Sequence, residues 1–135
     1  MLKVYNDTPY KILKSIPGIG PVYAAGLLAE IGEIDQFPND AALAKYAGLT
    51  WRKRESGNYV AQQTKMTKTG NMYLRYFLIQ SANLIRQNNA EYNLYFNKKF
   101  KEVKKYQFKR ALVLTARKLV RLIHSLLRDN RLFQE

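Results

Sequence analysis

Ser15-Ile16-Pro17-Gly18-Ile19-Gly20-Pro21 is the stretch from which the fold of this chain can be worked out. Two glycines and two prolines within five residues cannot continue a helix, yet helical patterns flank them on both sides. Thr8 to Ser15 is expected to form a short helix that ends ahead of Pro17, because the residue before a proline is pushed out of the α region. Pro21 fits the first position of the next helix, where its missing N–H costs nothing. That second helix is expected to run to about Ile31, with Gly32 as its stop. Two short helices therefore meet at a tight, glycine-rich turn.

The turn, followed by Ala24 and Ala25, resembles the helix-hairpin-helix motif over residues 12–35. In that motif the glycines supply positive φ and let a DNA strand approach where no Cβ intervenes. Exposed amides and the N-terminus of the second helix then bind a backbone phosphate. The candidate donors are Gly18, Ile19, Gly20 and Val22; Pro21 has no N–H. Such a contact is blind to base sequence. The same turn would equally serve a helical hairpin that packs on protein and touches no phosphate.

Working outward, Asn39 can cap a short helix through Ala47, which Gly48 closes. The helical period vanishes between residues 49 and 68, a polar loop or small β-hairpin in which Ser56-Gly57-Asn58 has turn chemistry and Tyr59 to Thr64 can supply a strand. Thr69-Gly70-Asn71 leads into a strongly helical region, 71–130. Leu74, Phe77, Leu78 and Ser81 to Leu84 mark one apolar face, and Asn88-Asn89 breaks it. Tyr92, Tyr95, Phe96, Phe100 and Val103 follow at spacings of three and four. The last helix, Gln107 to Arg128, is apolar around most of its circumference. The expectation is one mainly α domain over 1–135, a helix-hairpin-helix plus a longer helical bundle, with a small β element near residues 50–65.

Composition bounds the function. The chain has 135 residues, 47% hydrophobic and 24% charged, which suits one folded domain. No apolar run approaches the ~20 residues a bilayer span needs, and no signal-peptide pattern opens the chain, so no membrane partner is expected. Cysteine is absent, which excludes disulfides and cysteine-based metal sites. Twenty-three Lys and Arg against ten Asp and Glu give a net charge of +13. Residues 1–50 hold four basic and five acidic residues; residues 51–135 hold nineteen and five. A surface for a polyanion must come from the second part, where phosphate neutralisation is the usual physical reason for such an excess.

Trp51-Arg52-Lys53-Arg54-Glu55-Ser56-Gly57 places a hydroxyl beside three cations, with Lys65, Lys68 and Arg75 downstream. Serine becomes a nucleophile only when a neighbour takes its proton or stabilises the alkoxide. Cations also neutralise the charge that builds on a phosphoryl group under attack. On spacing alone, Ser-Gly in a basic loop is far more often an ordinary turn.

The order of elements adds to this. The hairpin with Glu33-Ile34, then Phe37-Pro38, Leu43-Ala44-Lys45-Tyr46-Ala47-Gly48-Leu49, Ser56-Gly57, Thr67-Lys68-Thr69-Gly70-Asn71 and Leu74-Arg75 together carry a resemblance. Over residues 12–86 the chain resembles the C-terminal domain of a family of bacterial insertion-sequence transposases whose N-terminal domain is RuvC-like and bears four acidic residues. The resemblance implies a serine nucleophile at Ser56 and a DNA-binding set of Gly18, Ile19, Gly20, Val22, Arg52, Lys53, Arg54, Lys65, Lys68 and Arg75. It also implies a divalent metal, Mg, held with the acidic domain rather than by this chain. The implied partners are DNA, further copies of the enzyme and, in some members, a structured guide RNA, in a bacterial cytoplasm at the nucleoid. The ten acidic residues here are scattered, so this chain by itself is expected to bind nucleic acid without turnover. A different reading of the same residues is a non-enzymatic helix-hairpin-helix module for DNA or RNA.

Arg110, Arg117, Arg121 and Arg128, spaced seven, four and seven, share one helical face. With Lys98, Lys99, Lys101, Lys104 and Lys105 before them, they form either a track for a nucleic-acid backbone or a solvated face. His124 is the single histidine and is expected to be structural or at the surface. Tyr46, Tyr76, Tyr92, Tyr95 and Tyr106 fit helix packing better than recombinase chemistry, which needs a His and Arg constellation that one histidine hardly supplies; a tyrosine left exposed could instead stack on a base.

Overall fold

The structure, a computed structural model, describes residues 7–51, 55–56, 59–60, 66–67 and 70–135. Among them are six α-helices: α1 (Thr8–Ser15), α2 (Pro21–Ile31), α3 (Asp40–Tyr46), α4 (Met72–Asn88), α5 (Ala90–Glu102) and α6 (Gln107–Asp129). A 3-10 turn at Ile34–Gln36, which the helical period gives no hint of, links α2 to α3. The mainly α architecture is as expected, and the helix limits follow from local chemistry. Pro21 opens α2 and Gly32 closes it at φ +67. Three asparagines cap α3, α4 and α5. Asn39 accepts from the Ala42 amide, Asn71 from Tyr73 and Leu74, and Asn89 from Tyr92. Each satisfies amides that a helix start leaves unbonded.

The middle of the chain holds a nested pair of two-stranded ribbons. β1 (Thr50–Trp51) pairs antiparallel with β4 (Met66–Thr67), and β2 (Glu55–Ser56) with β3 (Tyr59–Val60). The expected β element is present. Of the anticipated strand Tyr59 to Thr64, the first two residues are in β3, and residues 61–65 lie outside the described set.

One core joins all six helices. Ile12, Leu13 and Ile16 from α1 and its end meet Leu27 and Ile31, Leu43, Leu74, Leu78 and Ile85, and Leu119 and Ile123, every one at most 1% exposed. α6 is the central post. It packs on α3, α4 and α5, and reaches α1. Its buried side chains sweep a broad arc from Ala111 to Leu127, while Lys109, Arg110, Arg121 and Arg128 stay on the solvent side. α5 and α6 form an antiparallel helical hairpin. Glu91 at the start of α5 meets Lys118, whereas Phe96 meets Phe108 and the Phe100 carbonyl accepts from Gln107.

Beyond α6 the chain folds back on α1, where the Ser15 hydroxyl accepts from the Phe133 amide at 2.8 Å. Among the described residues no helix is long and apolar enough to cross a membrane.

Candidate nucleic-acid interface

The turn between α1 and α2 is built by Gly18. Its φ is +87, a region that costs residues with a Cβ of order 1–3 kcal/mol. A Cβ there would also lie 2.8 Å from the Leu84 carbonyl oxygen and 3.0 Å from the Asn88 amide nitrogen, both on α4. Gly18 is thus required twice for folding alone. Ile19 is 4% exposed, and its amide donates to the Ile16 carbonyl at 3.0 Å, so this N–H is already spent inside the hairpin. The amides of Gly18, Gly20 and Val22 have no such acceptor among the described residues. Gly20 has ordinary extended backbone and open space where a Cβ would stand, and Val22 is 75% exposed. Gly20 and Val22 therefore present an uncapped helix start to solvent.

The serine-bearing segment springs from the opposite end of α4. On its near side, the Leu49 amide donates to the Ala44 carbonyl at 2.8 Å. On its far side, Gly70 has φ +116 and its Hα faces the carbonyls of Lys45 and Tyr46, where no Cβ fits. The Asn71 amide then donates to the Tyr46 carbonyl at 2.7 Å. Both ends of residues 49–71 are thus clamped to the C-terminus of α3. Asn71 completes the clamp by donating from Nδ2 to Glu30 Oε2 on α2 at 2.7 Å. Within the segment, the backbone of Ser56 pairs with Tyr59, leaving Gly57 and Asn58 between them. Arg52, Lys53, Arg54, Lys65 and Lys68 lie outside the described residues, as does the side chain of Ser56.

Arg75 stands one turn into α4 from Asn71. Its Nη1 is buried and without a hydrogen-bond partner among the described residues. A buried donor in that condition costs about 1–3 kcal/mol, and a charged one more.

The structure shows how the α6 arginines are engaged and corrects the expectation about the tyrosines. The arginines at 110, 117, 121 and 128 are not a free cationic row. Arg117 Nη1 lies 3.0 Å and Arg121 Nε 3.9 Å from Asp40 Oδ2, and Arg128 pairs with Asp129. The hydrogen bond from Arg117 holds the Asp40 carboxyl below its ordinary pKa. Long-range pairing of this kind leaves no trace in a one-dimensional spacing. Tyr92 is buried as expected, but Tyr76 and Tyr106 are mostly exposed, and Tyr46 is partly so at 39%. Tyr46 still touches Phe37, and Tyr76 the edge of Phe77.

His124 is buried and structural, its Nε2 2.9 Å from the Phe37 carbonyl oxygen. The carbonyl can only accept, so Nε2 carries the proton in that bond. Several carboxylates are likewise engaged. Asp40 holds two arginines, Glu30 holds Asn71, Glu91 holds Lys118 and Glu102 holds Lys99. Among the described residues no three His, Asp or Glu side chains converge.

A mainly helical domain with an uncapped hairpin and a clamped segment rich in Lys and Arg is the class of protein that these features define. Comparison with known proteins makes the class specific. The chain belongs to the IS116/IS110/IS902 transposase family, whose model matches residues 10–97. It is 31% identical over 128 residues, 95% of the chain, to an uncharacterized 44.8 kDa protein of insertion element IS116 from Streptomyces clavuligerus, of which that match covers 31%. It is 30% identical over 124 residues, 92% of the chain, to the pilin gene-inverting protein of Moraxella bovis, covering 38% of that protein. Over 70 residues, 52% of the chain, it is 37% identical to the transposase for insertion sequence element IS1111A of Coxiella burnetii, covering 19% of it. The chain spans about a third of the length of the first two of these relatives.

Proposed function

We propose that this chain is the DNA-contacting, serine-bearing domain of an insertion-sequence transposase, acting in strand cleavage and rejoining. The observation that carries the proposal is the clamp. A segment with Ser56 and five cations is fixed at both ends to α3, and Arg75, whose buried Nη1 has no partner among the described residues, stands one turn into α4 from its far end. An anion is the partner such a nitrogen lacks, and a phosphodiester supplies one.

In the proposed reaction, Ser56 Oγ forms a bond to phosphorus and the bond from phosphorus to one strand oxygen breaks. The departing oxygen takes up the proton that Ser56 gives away. Attack by a different strand-end hydroxyl reverses these events and joins new strands. Guanidinium and ammonium groups of Arg52, Lys53, Arg54, Lys65, Lys68 and Arg75 stabilise the charge on the phosphoryl oxygens. Divalent metal chemistry belongs, in this proposal, to residues outside this chain that also complete the active site. The amides of Gly18, Gly20 and Val22 bind a backbone phosphate in the manner of a helix-hairpin-helix, with Ile19 removed from the donor set. DNA is the substrate, and a structured RNA and further copies of the enzyme are partners of the whole protein.

Strand transfer and covalent protein–DNA adduct formation by the full-length transposase, with Ser56 compared to Ser56→Ala, tests the proposal. Loss of both, with folding and DNA binding intact, is the expected result. An active Ser56→Ala enzyme would overturn it. A second reading, a non-enzymatic hairpin module, draws on one observation: Gly18 is fully accounted for by its packing on Leu84.

A further inference from the structure

The charge on the described surface is unevenly paired. Lys11, Lys118, Arg117, Arg121, Arg128 and Arg131 all have carboxylate partners. Residues 98–110, at the tip of the α5–α6 hairpin, hold seven cations and one carboxylate, Glu102, which Lys99 occupies. Lys98, Lys101, Lys104, Lys105, Lys109 and Arg110 are exposed there, and none has an ion-pair partner among the described residues. Six like charges so close repel one another, and nothing in the core demands them.

The backbone at the tip is also unusual. Tyr106 stands at φ +52, the left-handed region, where an aromatic residue is a genuine outlier. Its ring is 74% exposed, flanked by the Arg110 guanidinium at 5.7 Å. The same residue opens α6, a 23-residue helix with no side-chain cap and no acidic residue in its first turn. Partial positive charge from unbonded amides thus adds to the lysines. Strain, an outward ring, unpaired cations and an open helix start coincide at one place. Glycine would relieve the strain, and solubility requires no ring.

We infer that the tip of the α5–α6 hairpin binds an unpaired nucleic-acid strand, with Lys104, Lys105, Lys109 and Arg110 on its phosphates and one base stacked on Tyr106. The inference rests on the nucleic-acid reading given above, but concerns a different surface from the hairpin and the serine segment. A ring beside cations is the recurring platform for single strands, whose bases are free to leave their neighbours. A duplex offers the lysines its phosphates but keeps its bases stacked. DNA and RNA strands share this chemistry.

Fluorescence anisotropy with labelled oligothymidylate, oligouridylate and a blunt duplex tests the site. Tyr106→Gly relieves the positive φ, so the fold is retained. It is expected to weaken both single strands about tenfold and leave the duplex unchanged. Tyr106→Phe keeps the ring and is expected to bind as the wild type. Lys104→Glu with Lys105→Glu is expected to weaken every probe and flatten the dependence of log affinity on log salt by about one to two. The stronger of the two single strands identifies the natural polymer. Unchanged single-strand affinity in Tyr106→Gly overturns the inference, and so does an unchanged salt slope in the double lysine variant. Gly20→Val keeps the readings apart. Its loss of binding beside normal tip variants leaves the hairpin standing alone, and the converse leaves the tip. A wild-type chain that binds none of the probes removes both.

Discussion

Asn71 and Glu30, 41 residues apart, are joined by a 2.7 Å hydrogen bond from Nδ2 to Oε2. The other end of the same amide, Oδ1, accepts from Tyr73 and Leu74 at 2.9 and 3.0 Å, and the Asn71 backbone N–H is bonded to Tyr46. One residue therefore starts α4, ties it to α2 and fixes the far end of the serine segment to α3. Asn71→Ala is expected to cost about 2 kcal/mol, the sum of a lost cap and a lost charge-assisted bond. Asn71→Asp keeps the cap acceptor but sets a second carboxylate against Glu30. Its stability should recover as the pair is protonated at acid pH. Urea midpoints of both variants at neutral and acid pH check this, and an Asn71→Ala protein as stable as the wild type would remove the clamp from the account.

Gly18 and Gly20 separate packing from binding. Gly18→Ala meets both a positive φ and the Leu84 carbonyl, and is expected to lose about 2 kcal/mol or more. Gly20→Ala has neither problem and is expected to stay within about 0.5 kcal/mol of the wild type. Gly20→Val, equally unobstructed by protein, is expected to weaken duplex DNA binding because its branched side chain stands where a phosphate would approach. Normal DNA affinity in a folded Gly20→Val protein would assign the hairpin to packing alone.

Much of the helical frame was legible because its punctuation is local. Pro21, Gly32, Asn39, Gly48, Asn71 and Asn89 each act within a turn of their own position, so their meaning survives without the fold. The site was less legible, since its determinants are pairings across the chain. Nothing near Asp40 announces Arg117, 77 residues away, and nothing in the Pro-Gly turn announces Leu84. The shared face of the α6 arginines is real, yet Asp40 quenches its middle. Tyr106 at positive φ was invisible for a related reason. The spacing of Tyr92, Tyr95 and Phe96 makes any nearby aromatic look like core, and only the end of α5 at Glu102 turns it outward.

Asp40 ties α3 to α6 and makes stability depend on pH. The Arg117 hydrogen bond lowers its folded pKa below the ordinary 3.8, with Arg121 adding a smaller effect. The unfolded carboxyl therefore takes up a proton first as the pH falls. The contribution is fully present above about pH 4 and is lost as the pH drops through the folded value. Asp40→Asn is expected to be less stable at neutral pH, and its deficit should shrink below about pH 4. A deficit independent of pH in urea titrations would mean that the pair contributes no linkage.

Arg75 gives a prediction in which stability and function move apart. Its buried Nη1 has no hydrogen-bond partner among the described residues, so the folded chain bears a desolvated donor with nothing in return. Arg75→Met keeps the length and packing of the stem while removing the charge and the donors. The variant is expected to be as stable as the wild type or up to about 2 kcal/mol more so. If the guanidinium awaits a phosphate, the same change should weaken duplex binding and flatten its salt dependence by about one. Arg75→Lys restores a charge but not the planar fork, and should recover the salt slope more than the affinity. A marked loss of stability in Arg75→Met would show that the guanidinium serves the fold, and its place one turn from the far end of the serine segment would then be structural.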